Sequence, residues 1–537
     1  MQGRKRADIS TKVMPARSGE EAPQLIPALT VVSHPIPQRA GERVRLQQLA
    51  DGESVAVSRI GPDFRRRGSF EGMPLGDPFL SRKPLVLEPA PRGAVRLRVE
   101  PGGTRVKVKD QPLESAQEFS PEELAVGIPL VLAERIVLLL HLAPVTEPST
   151  EEEYGMVGYS AGACRVRDGI SQVADLKVPV LIRGETGSGK ELVARAIHEF
   201  SPRRAGPFIS LNLGAVSKEL AAAELFGARK GAYTGSTQER EGFFRAAHQG
   251  TLFLDEVGEA PPEVQVLLLR VLETGEVFPV GGHTPVSVDV RLITATDANL
   301  EERIRKEAFK APLLHRLAGY EIRVPPLRER REDIGALFFH FARQELQELG
   351  QASRLEAVEP SADPWLPPSL AVRLVRYSWP GNIRQLRNLT RQIVIGSRRL
   401  ATLQPSPELL RELEESAPPL FTGTPAQSER GEPPASSEPA VPRRKPSQVG
   451  DQEMLDALSA TAWDMKAAAE RLGITRSSLY MLIERSPSLR TAVELSAEEI
   501  TRCFQECGGD VDAMVQRLKV SKRGLQRRLK ALGLGSS

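Results

Sequence analysis

Residues 178–191, VPVLIRGETGSGKE, constrain the fold of this sequence more than any other segment. An apolar run that reads as a buried strand leads into a glycine-rich turn, and the glycines let backbone N–H groups close around phosphate oxygens at a helix start. Such a turn can be merely structural, but this spacing after a strand strongly favours nucleotide binding. The predicted phosphate-binding residues are Gly184, Glu185, Thr186, Gly187, Ser188, Gly189, Lys190 and Glu191.

Two adjacent carboxylates, Asp255 and Glu256, follow a second apolar run in GTLFLDEVGE. In a doubly wound sheet the carboxyl end of that strand lies beside the phosphate loop. Asp255 would hold Mg²⁺ together with phosphates and water, because Glu191 stands where serine or threonine usually binds the metal. Glu256 would polarise the attacking water. Considered alone, two adjacent carboxylates would be interpreted as the solvated end of a strand. Their position downstream of the phosphate loop favours a catalytic role instead. ATP and Mg²⁺ are the expected cofactors.

Patterning divides the chain into several domains, because one hydrophobic core stops growing at about 250–300 residues. Short β-branched runs separated by Gly, Pro and Asp predict an all-β sandwich, and alternating strand and helix patterns predict an α/β domain with a parallel sheet. Segments rich in Pro, Ala and Ser read as disordered. The predicted segments are a disordered arm at 1–40, an all-β sandwich at 41–147, an α/β P-loop ATPase with a helical lid at 155–400, a disordered linker at 401–450, and all-α helix-turn-helix repeats at 451–490 and 496–537.

Charge and cysteine content exclude several classes of protein. The net charge is only +3 with 26% charged residues, so overall charge identifies no partner. The most apolar run, residues 128–142, is interrupted by Glu134 and Arg135 and is shorter than the roughly 20 residues that a membrane span needs. Three unevenly spaced cysteines fit a reducing compartment rather than a disulfide framework. We therefore expect a cytoplasmic protein without membrane segments.

The helical tail contains an internal repeat. The segment that starts at Trp463 aligns with the segment that starts at Gly509, and the apolar positions coincide, for example Leu472 with Leu518. Two copies of one helix-turn-helix unit are the simplest explanation.

Residues 157–397 resemble the central AAA+ domain of sigma-54-dependent transcription activators. The match includes GETGSGKE, in which glutamate after the lysine is normal for the family, and ELFGARKGAYTGS, which resembles the family's surface loop that contacts sigma-54. From composition alone an ordinary turn with a partly buried aromatic would be preferred, and the flanking motifs reverse that preference. The resemblance implies that the sigma-54 contact residues are Gly231, Ala232, Tyr233, Thr234, Gly235 and Ser236.

The resemblance also assigns roles to five positions outside these motifs. Asn212 matches the asparagine that holds the catalytic glutamate inactive until sigma-54 is contacted. Asp297 stands on the sensor strand where asparagine is usual. Arg316 and Lys310 match the two arginines that act on a neighbouring subunit's nucleotide, with lysine replacing one of them. Arg384 matches the sensor arginine of the lid.

The two C-terminal units resemble Fis-type helix-turn-helix domains, in which the second helix enters the major groove of double-stranded DNA. The second copy is strongly basic and is interpreted as the DNA reader. The first copy is nearly neutral, which favours a packing or dimerisation element over a second reader. The predicted DNA-binding residues are Ser521, Lys522, Arg523, Gln526, Arg527 and Lys530.

The β-rich segment resembles a forkhead-associated domain, a fold that binds phosphothreonine peptides, through DPFLSRKPLVLEP and GIPLVLAERIVLLL. This resemblance implies that Arg59, Ser81 and Arg82 would hold the phosphate of a phosphothreonine protein partner. A sandwich that only represses the ATPase by docking against it is the alternative.

Together these resemblances predict a sigma-54-dependent activator. Dimers would bind upstream enhancer DNA and assemble into a homo-oligomeric ring, expected to be a hexamer, in which ATP hydrolysis drives the Thr234 loop against the sigma-54 RNA polymerase holoenzyme. One alternative is a DNA-binding regulatory scaffold with weak or no ATPase activity, which Asp297 and Lys310 would favour. Another is a general AAA+ remodeller of proteins, which the surface loop and the helix-turn-helix tail disfavour.

Overall fold

A computed structural model describes most of the chain. The described residues are 24–69, 71–145, 152–232, 239–356, 361–415, 451–461, 497–507 and 511–518, with residues 468, 469, 471, 472, 479, 495, 525, 528 and 529. The chain divides into two compact units, residues 1–423 and 424–537.

The N-terminal part of the first unit consists of two antiparallel sheets, which confirms the predicted all-β region. The larger sheet has the spatial order β5-β4-β2-β1-β12-β11-β8-β9 and the smaller one β10-β7-β6-β3. The strands are β1 (Leu25–Ser33), β2 (Arg43–Arg45), β3 (Val55–Val57), β4 (Phe64–Arg65), β5 (Gly72–Met73), β6 (Leu85–Pro89), β7 (Val95–Arg98), β8 (Val106–Val108), β9 (Gln111–Pro112), β10 (Ala116–Phe119), β11 (Ile128–Leu132) and β12 (Ile136–Pro144), with short helices α1 (Gln47–Ala50) and α2 (Pro121–Val126). Alternate apolar residues of both sheets fill the space between them.

The predicted boundary of the disordered arm at residue 40 is wrong. β1 lies inside that segment and forms the middle of the larger sheet, where it pairs with β12 on one side and β2 on the other. Its sequence LIPALTVVS is buried on both faces over most of its length, so it lacks the alternation that marks a strand with one solvated face. Proline-rich flanks on both sides concealed it further.

The central domain is an α/β fold built on a parallel sheet, as predicted. The strand order is β14-β15-β18-β13-β19. The strands are β13 (Val180–Arg183), β14 (Phe208–Asn212), β15 (Thr251–Asp255), β18 (Arg291–Thr296) and β19 (Tyr320–Arg323), with a separate hairpin of β16 (Glu276–Val277) and β17 (Val286–Ser287). The helices are α3 (Ala161–Val173), α4 (Lys190–Glu199), α5 (Lys218–Phe226), α6 (Phe243–Ala246), α7 (Pro262–Thr274), α8 (Leu300–Arg305) and α9 (Ala311–Leu317). Parallel strands bring the phosphate loop, Asp255 and Asp297 to one edge of the sheet.

A helical lid follows the sheet and extends into the predicted linker. Its helices are α10 (Ile334–Glu348), α11 (Pro368–Arg376), α12 (Asn382–Gly396) and α13 (Pro407–Glu415). The prediction of disorder from residue 401 is therefore wrong for α13. Leu409 and Leu413 are four residues apart, so both face the lid core, and Leu413 is buried there. The proline-rich composition that follows obscured this short amphipathic helix.

The β-sandwich and the lid share one hydrophobic core. Val32, Val137 and Leu139 of the sandwich belong to the same buried cluster as Phe338 of α10. Gly335 of α10 lies so close to β1 that a Cβ atom there would be 2.3 Å from the carbonyl oxygen of Val32. The sandwich is thus docked on the ATPase rather than tethered to it.

The second unit contains α14 (Asp451–Ala460), α15 (Ala497–Glu506) and α16 (Val511–Leu518). Its buried residues come from both copies of the repeat and form one cluster. Ala468 and Leu479 of the first copy are buried, as are Met514 and Leu525 at the aligned positions of the second. The two copies therefore stabilise each other. Over the described part of the chain, no helix is long and apolar enough to cross a membrane.

Candidate nucleotide site

The phosphate loop has the backbone shape that its glycines predicted. Gly187 and Gly189 adopt φ values of 76° and 108°, and a Cβ atom at Gly187 would lie 2.4 Å from the carbonyl oxygen of Gly381, so side chains are excluded there. The buried hydroxyl of Ser188 has no hydrogen-bond partner among the described residues. The residues therefore fit the phosphates of a nucleotide, which would supply acceptors to the loop.

Lys190 is the first residue of α4 and is buried. Its Nζ donates to the carbonyl oxygens of Gly184 at 2.8 Å and Glu185 at 3.2 Å. Burial lowers the pKa of Lys190, while Asp255 and Asp297 act in the opposite direction. A bound polyphosphate would add negative charge to this buried ammonium and thereby stabilise its charged form.

Two residues that the sequence analysis did not assign to the site, Asn382 and Arg328, fasten the lid to the phosphate loop. Arg328 binds both carboxylate oxygens of Glu185, at 2.6 and 2.8 Å, and this contact lowers the pKa of Glu185. Buried Asn382 donates to Glu185 Oε2 and to the carbonyl oxygen of Thr186, both at 3.1 Å. A sequence signal for this contact was present in WPGN, because Asn382 is a polar residue in the first turn of the amphipathic helix α12, where polar groups need partners outside the helix.

Asp255 and Glu256 lie at the end of β15, beside the phosphate loop, as predicted. Asp255 Oδ1 accepts from the backbone N–H of Glu256 at 2.9 Å. Glu256 has a left-handed backbone with φ 55°, which is uncommon for a residue with a side chain and is frequent at functional sites. No cluster of three or more potential metal ligands occurs among the described residues. Asp255 is the predicted ligand of Mg²⁺, together with phosphates and water. Glu191 is exposed and pairs with Arg195.

Asn212 does not form the hydrogen bond to Glu256 that its predicted role suggests. Its Oδ1 accepts from the backbone N–H groups of Gly214 at 2.8 Å and Ala215 at 3.2 Å, and so caps the short 3₁₀ turn Leu213–Ala215. The turn itself contacts the catalytic residue, because a Cβ atom at Gly214 would lie 2.0 Å from Glu256 Oε2. Asn212 therefore caps the turn that lies against Glu256.

We expect Gly214→Ala to reduce ATP turnover at saturating ATP by about 100-fold, the loss that a displacement of about 1 Å can cause. The new methyl group would push the Glu256 carboxylate away from its position, whereas nucleotide affinity should change little. Phosphate release and nucleotide binding by the purified chain measure the two effects. Gly396→Ala is the matched control, because a Cβ atom there meets nothing within 4 Å. Unchanged turnover in Gly214→Ala would show that the Glu256 position seen here is not the working one.

The sensor residues lie close to the phosphate loop. Thr186 Oγ1 donates to Asp297 Oδ2 at 2.7 Å, so Asp297 holds the loop directly. The backbone N–H of Arg384 donates to the carbonyl oxygen of Gly187 at 3.2 Å, and its side chain is exposed. The fold thus brings Asp255, Asp297 and Arg384 close enough to Lys190 to influence its pKa.

Lys310 and Arg316, the predicted trans-acting residues, lie at the two ends of α9 with exposed side chains. The backbone N–H of Lys310 donates to Oε1 of buried Gln265 at 2.9 Å, which ties α9 to α7. The Arg316 guanidinium is 3.8 Å from the Glu273 carboxylate, and both side chains are about half exposed, so this pair holds Arg316 weakly. Both cations are accessible to another subunit.

The described residues include only the base of the candidate sigma-54 loop. Ala228 pairs with Arg240 and with Val280 of the β16–β17 hairpin, so two surface loops share one base. Gly231 and Ala232 are described, and a Cβ atom at Gly281 would lie 2.9 Å from the Ala232 Cβ. The other predicted contact residues lie outside the described residues, namely Tyr233, Thr234, Gly235 and Ser236.

The candidate phosphopeptide residues lie on neighbouring loops of the sandwich. The backbone N–H of Arg59 donates to the carbonyl oxygen of Ser81 at 3.3 Å, and the N–H of Ser81 donates to Thr104 Oγ1 at 2.9 Å. Arg82 is exposed. The predicted DNA-binding residues of the tail fall outside the described residues, namely Ser521, Lys522, Arg523, Gln526, Arg527 and Lys530.

Comparison with known proteins identifies the family. Residues 156–323 match the model of the sigma-54 interaction domain, residues 328–419 that of an AAA+ ATPase lid domain, and residues 448–481 that of the Fis family of bacterial regulatory proteins. The transcriptional regulatory protein ZraR of Klebsiella oxytoca is 41% identical over 344 residues, covering 64% of this chain and 71% of that protein. The chain belongs to the family of sigma-54-dependent transcriptional regulators.

Other similar proteins match a smaller share of their own length. The DNA-binding transcriptional regulator NtrC of Salmonella typhimurium is 42% identical over 286 residues, which are 52% of this chain and 58% of that protein. The chain thus spans little more than half of this relative. A crystal structure of NtrX from Brucella abortus in complex with ATP is 30% identical, with 70% of this chain and 69% of that chain covered and a TM-score of 0.43.

The Fis-family match falls on the first copy of the tail repeat, whereas charge favours the second copy as the DNA reader.

Proposed function

We propose that the protein is a sigma-54-dependent transcription activator that binds upstream double-stranded DNA and remodels the closed complex of the sigma-54 RNA polymerase holoenzyme with ATP. It would act as a homo-oligomeric ring, a hexamer assembled from dimers, in which Arg316 and Lys310 complete the ATP site of the neighbouring subunit. ATP supplies the phosphoryl group that is transferred to water. Lys190 and Asp297 would position the phosphates and the loop, Asp255 would hold Mg²⁺, and Glu256 would orient the attacking water.

The observation that carries this proposal is the contact between Glu256 and Gly214. The turn that contains Gly214 leads into α5, and α5 ends at Phe226, two residues before Ala228 at the base of the candidate sigma-54 loop. A change at the reacting phosphate can therefore reach that loop through elements that are in contact. Phosphate release by the full-length chain at high concentration tests the ATPase, since a DNA-binding scaffold without ATPase activity would release none.

The second copy of the tail repeat is proposed as the principal DNA reader, and the charge contrast between the copies permits a matched test. Lys522→Ala should weaken binding to every DNA sequence and reduce the log–log salt dependence by about 0.9 for each phosphate that the variant no longer neutralises. Arg476→Ala, at the aligned position of the first copy, should have little effect. The opposite ranking in titrations at several salt concentrations would make the first copy the reader. Point variants are preferable to deletion because both copies share one core.

We propose that docking of the β-sandwich on the lid restrains the ATPase, because the two share a core. Gly335→Ala would place a methyl group against the backbone of β1, which no rotamer change can avoid, at a cost of about 1–3 kcal/mol of stability. We expect turnover to rise severalfold as the sandwich is displaced. Phosphate release and thermal unfolding measure both quantities, with Gly396→Ala as the control. A fall in turnover would mean that the sandwich supports the ATPase instead of restraining it.

The signal that releases this restraint is proposed to be a phosphothreonine protein, in line with the forkhead-associated resemblance. The backbone hydrogen bond from Arg59 N–H to the carbonyl oxygen of Ser81 supports this proposal, because the two residues are neighbours on adjacent loops of the sandwich. Binding of a phosphothreonine peptide, compared with its unphosphorylated form, tests it through Arg59→Ala.

A further inference from the structure

A cavity of about 590 Å³ lies between the β-sandwich and the start of the ATPase domain. Its size falls within the range of about 300–1,000 Å³ that small-molecule sites occupy. The sandwich provides one wall, and Tyr159 and Cys164 provide the other. Five of the lining residues are arginines, namely Arg43, Arg45, Arg65, Arg66 and Arg67.

The strand register places two of these arginines side by side. Arg43 of β2 and Arg65 of β4 are direct cross-strand partners, and like charges in that relation destabilise a sheet. Gly72 of β5 makes room for this arrangement, because a Cβ atom there would lie 2.8 Å from the Arg65 Cγ and 3.0 Å from its Nε. The Arg65 side chain thus lies against the neighbouring strand at an exposed position.

Two of these arginines donate hydrogen bonds to uncharged acceptors. Arg43 donates to Thr30 Oγ1 at 2.9 Å and to the carbonyl oxygen of Tyr159 at 3.4 Å, and Arg66 donates to the carbonyl oxygen of Gln38. Among the described residues that line the cavity, Asp63 is the only acid. The nearby Glu42 is bound by Arg39 at 2.8 Å. The described residues that line the cavity therefore comprise five arginines and one acid.

The opposite wall of the cavity, formed by Tyr159 and Cys164, contacts Arg67. Arg67 Nη1 donates to Cys164 Sγ at 3.1 Å, and its guanidinium lies 5.6 Å from the centre of the Tyr159 ring. Burial raises the pKa of Cys164, so this sulfur is a neutral thiol and adds no negative charge to the cavity. An anion in the cavity would therefore contact the sandwich and the ATPase domain at once.

We propose that this cavity binds a phosphorylated small molecule, with a chain of phosphates held by Arg43, Arg65 and Arg67. Planar guanidinium groups bind phosphate oxygens in pairs, and an anion removes the mutual repulsion of the arginines. The ligand would join the docked sandwich to the ATPase domain and so strengthen the contact between them. This site is separate from the phosphate loop and from the loops that carry Arg59, Ser81 and Arg82.

The test is calorimetric titration of the full-length Lys190→Ala chain, in which the phosphate loop is disabled, with inorganic tripolyphosphate and separately with GTP. We expect saturable binding of one anion per chain and an increased melting temperature. Arg65→Ala combined with Arg67→Ala should weaken binding by at least about tenfold, the equivalent of one charged hydrogen bond. Arg96→Ala is the matched control, since Arg96 is exposed on β7 of the same sandwich and is not among the residues that line the cavity, and it should leave the affinity unchanged.

The single variant Arg65→Glu provides a second measurement if the double variant fails to fold, because Arg65 is exposed. Tighter binding of GTP than of tripolyphosphate would show that the cavity also accepts the nucleoside, and equal affinities would show that it recognises phosphates alone. Either result supports the proposal. It would be overturned by the absence of saturable binding of both probes, or by equal affinity in the parent and Arg65→Glu chains.

Discussion

Arg316→Ala should reduce ATP turnover by about 10³-fold or more, because a trans arginine in phosphoryl transfer is worth roughly 10³ to 10⁵ in rate. Its guanidinium can donate two parallel hydrogen bonds to a phosphoryl group whose charge spreads in the transition state. In the isolated chain Arg316 is exposed and only loosely paired with Glu273, so the substitution should cost little stability. Loss of turnover with an unchanged melting temperature would identify a catalytic role in the ring rather than a structural one.

The other trans position should behave differently because it carries lysine. Lys310 offers a point charge without the planar fork of arginine. We therefore expect Lys310→Ala to cost less turnover than Arg316→Ala, and Lys310→Arg to raise turnover at saturating ATP. The backbone N–H of Lys310 is held by Gln265 whatever the side chain, so both substitutions should leave α9 in place.

Mixing two inactive variants tests whether the site lies between subunits. Arg316→Ala chains retain Glu256, and Glu256→Gln chains retain Arg316, so a mixed ring contains some interfaces with both groups. Partial recovery of phosphate release is expected. If mixed rings form and remain inactive, or if Lys310→Arg lowers turnover, then the intersubunit assignment of these two residues is wrong.

Thr234→Ala should abolish open-complex formation by the sigma-54 holoenzyme and leave ATP hydrolysis largely intact. Thr234 lies at the centre of GAYTGS, whose base is closed by the pairing of Ala228 with Arg240. That base also contacts the β16–β17 hairpin through Val280, so a substitution at the tip should not disturb the nucleotide cleft. Promoter opening and phosphate release, measured on the same preparation, separate the two activities.

Glu256→Gln is the appropriate control for this experiment, because it should lose hydrolysis and promoter opening together. Equal loss of both activities in Thr234→Ala would show that the loop is a structural part of the ring. Retention of both would show that sigma-54 is contacted elsewhere, for instance by the adjoining hairpin.

The sequence by itself predicted which residues form the candidate nucleotide site. Gly184 to Lys190, Asp255 and Glu256 could be assigned because phosphate binding requires particular residue types at fixed spacing after a strand. Parallel strands with their carboxyl ends at one edge then brought these residues together, as predicted. The internal repeat of the tail could also be recognised from the sequence, because it depends only on apolar positions that recur in the same order.

The tertiary structure alone decided the contacts between distant segments. β1 was missed because a strand buried on both faces lacks alternation, and α13 was missed because the proline-rich sequence that follows obscured its short amphipathic pattern. Both are stabilised by packing, β1 against β12 and α13 against the lid. The hydrogen bonds from Asn382 and Arg328 to Glu185 join residues that are far apart in the sequence. The docking of the sandwich, the contact of Gly214 with Glu256 and the arginine cavity arise in the same way. Local propensity and spacing carry no information about which distant surfaces meet, because that choice depends on the shape and burial of the whole fold.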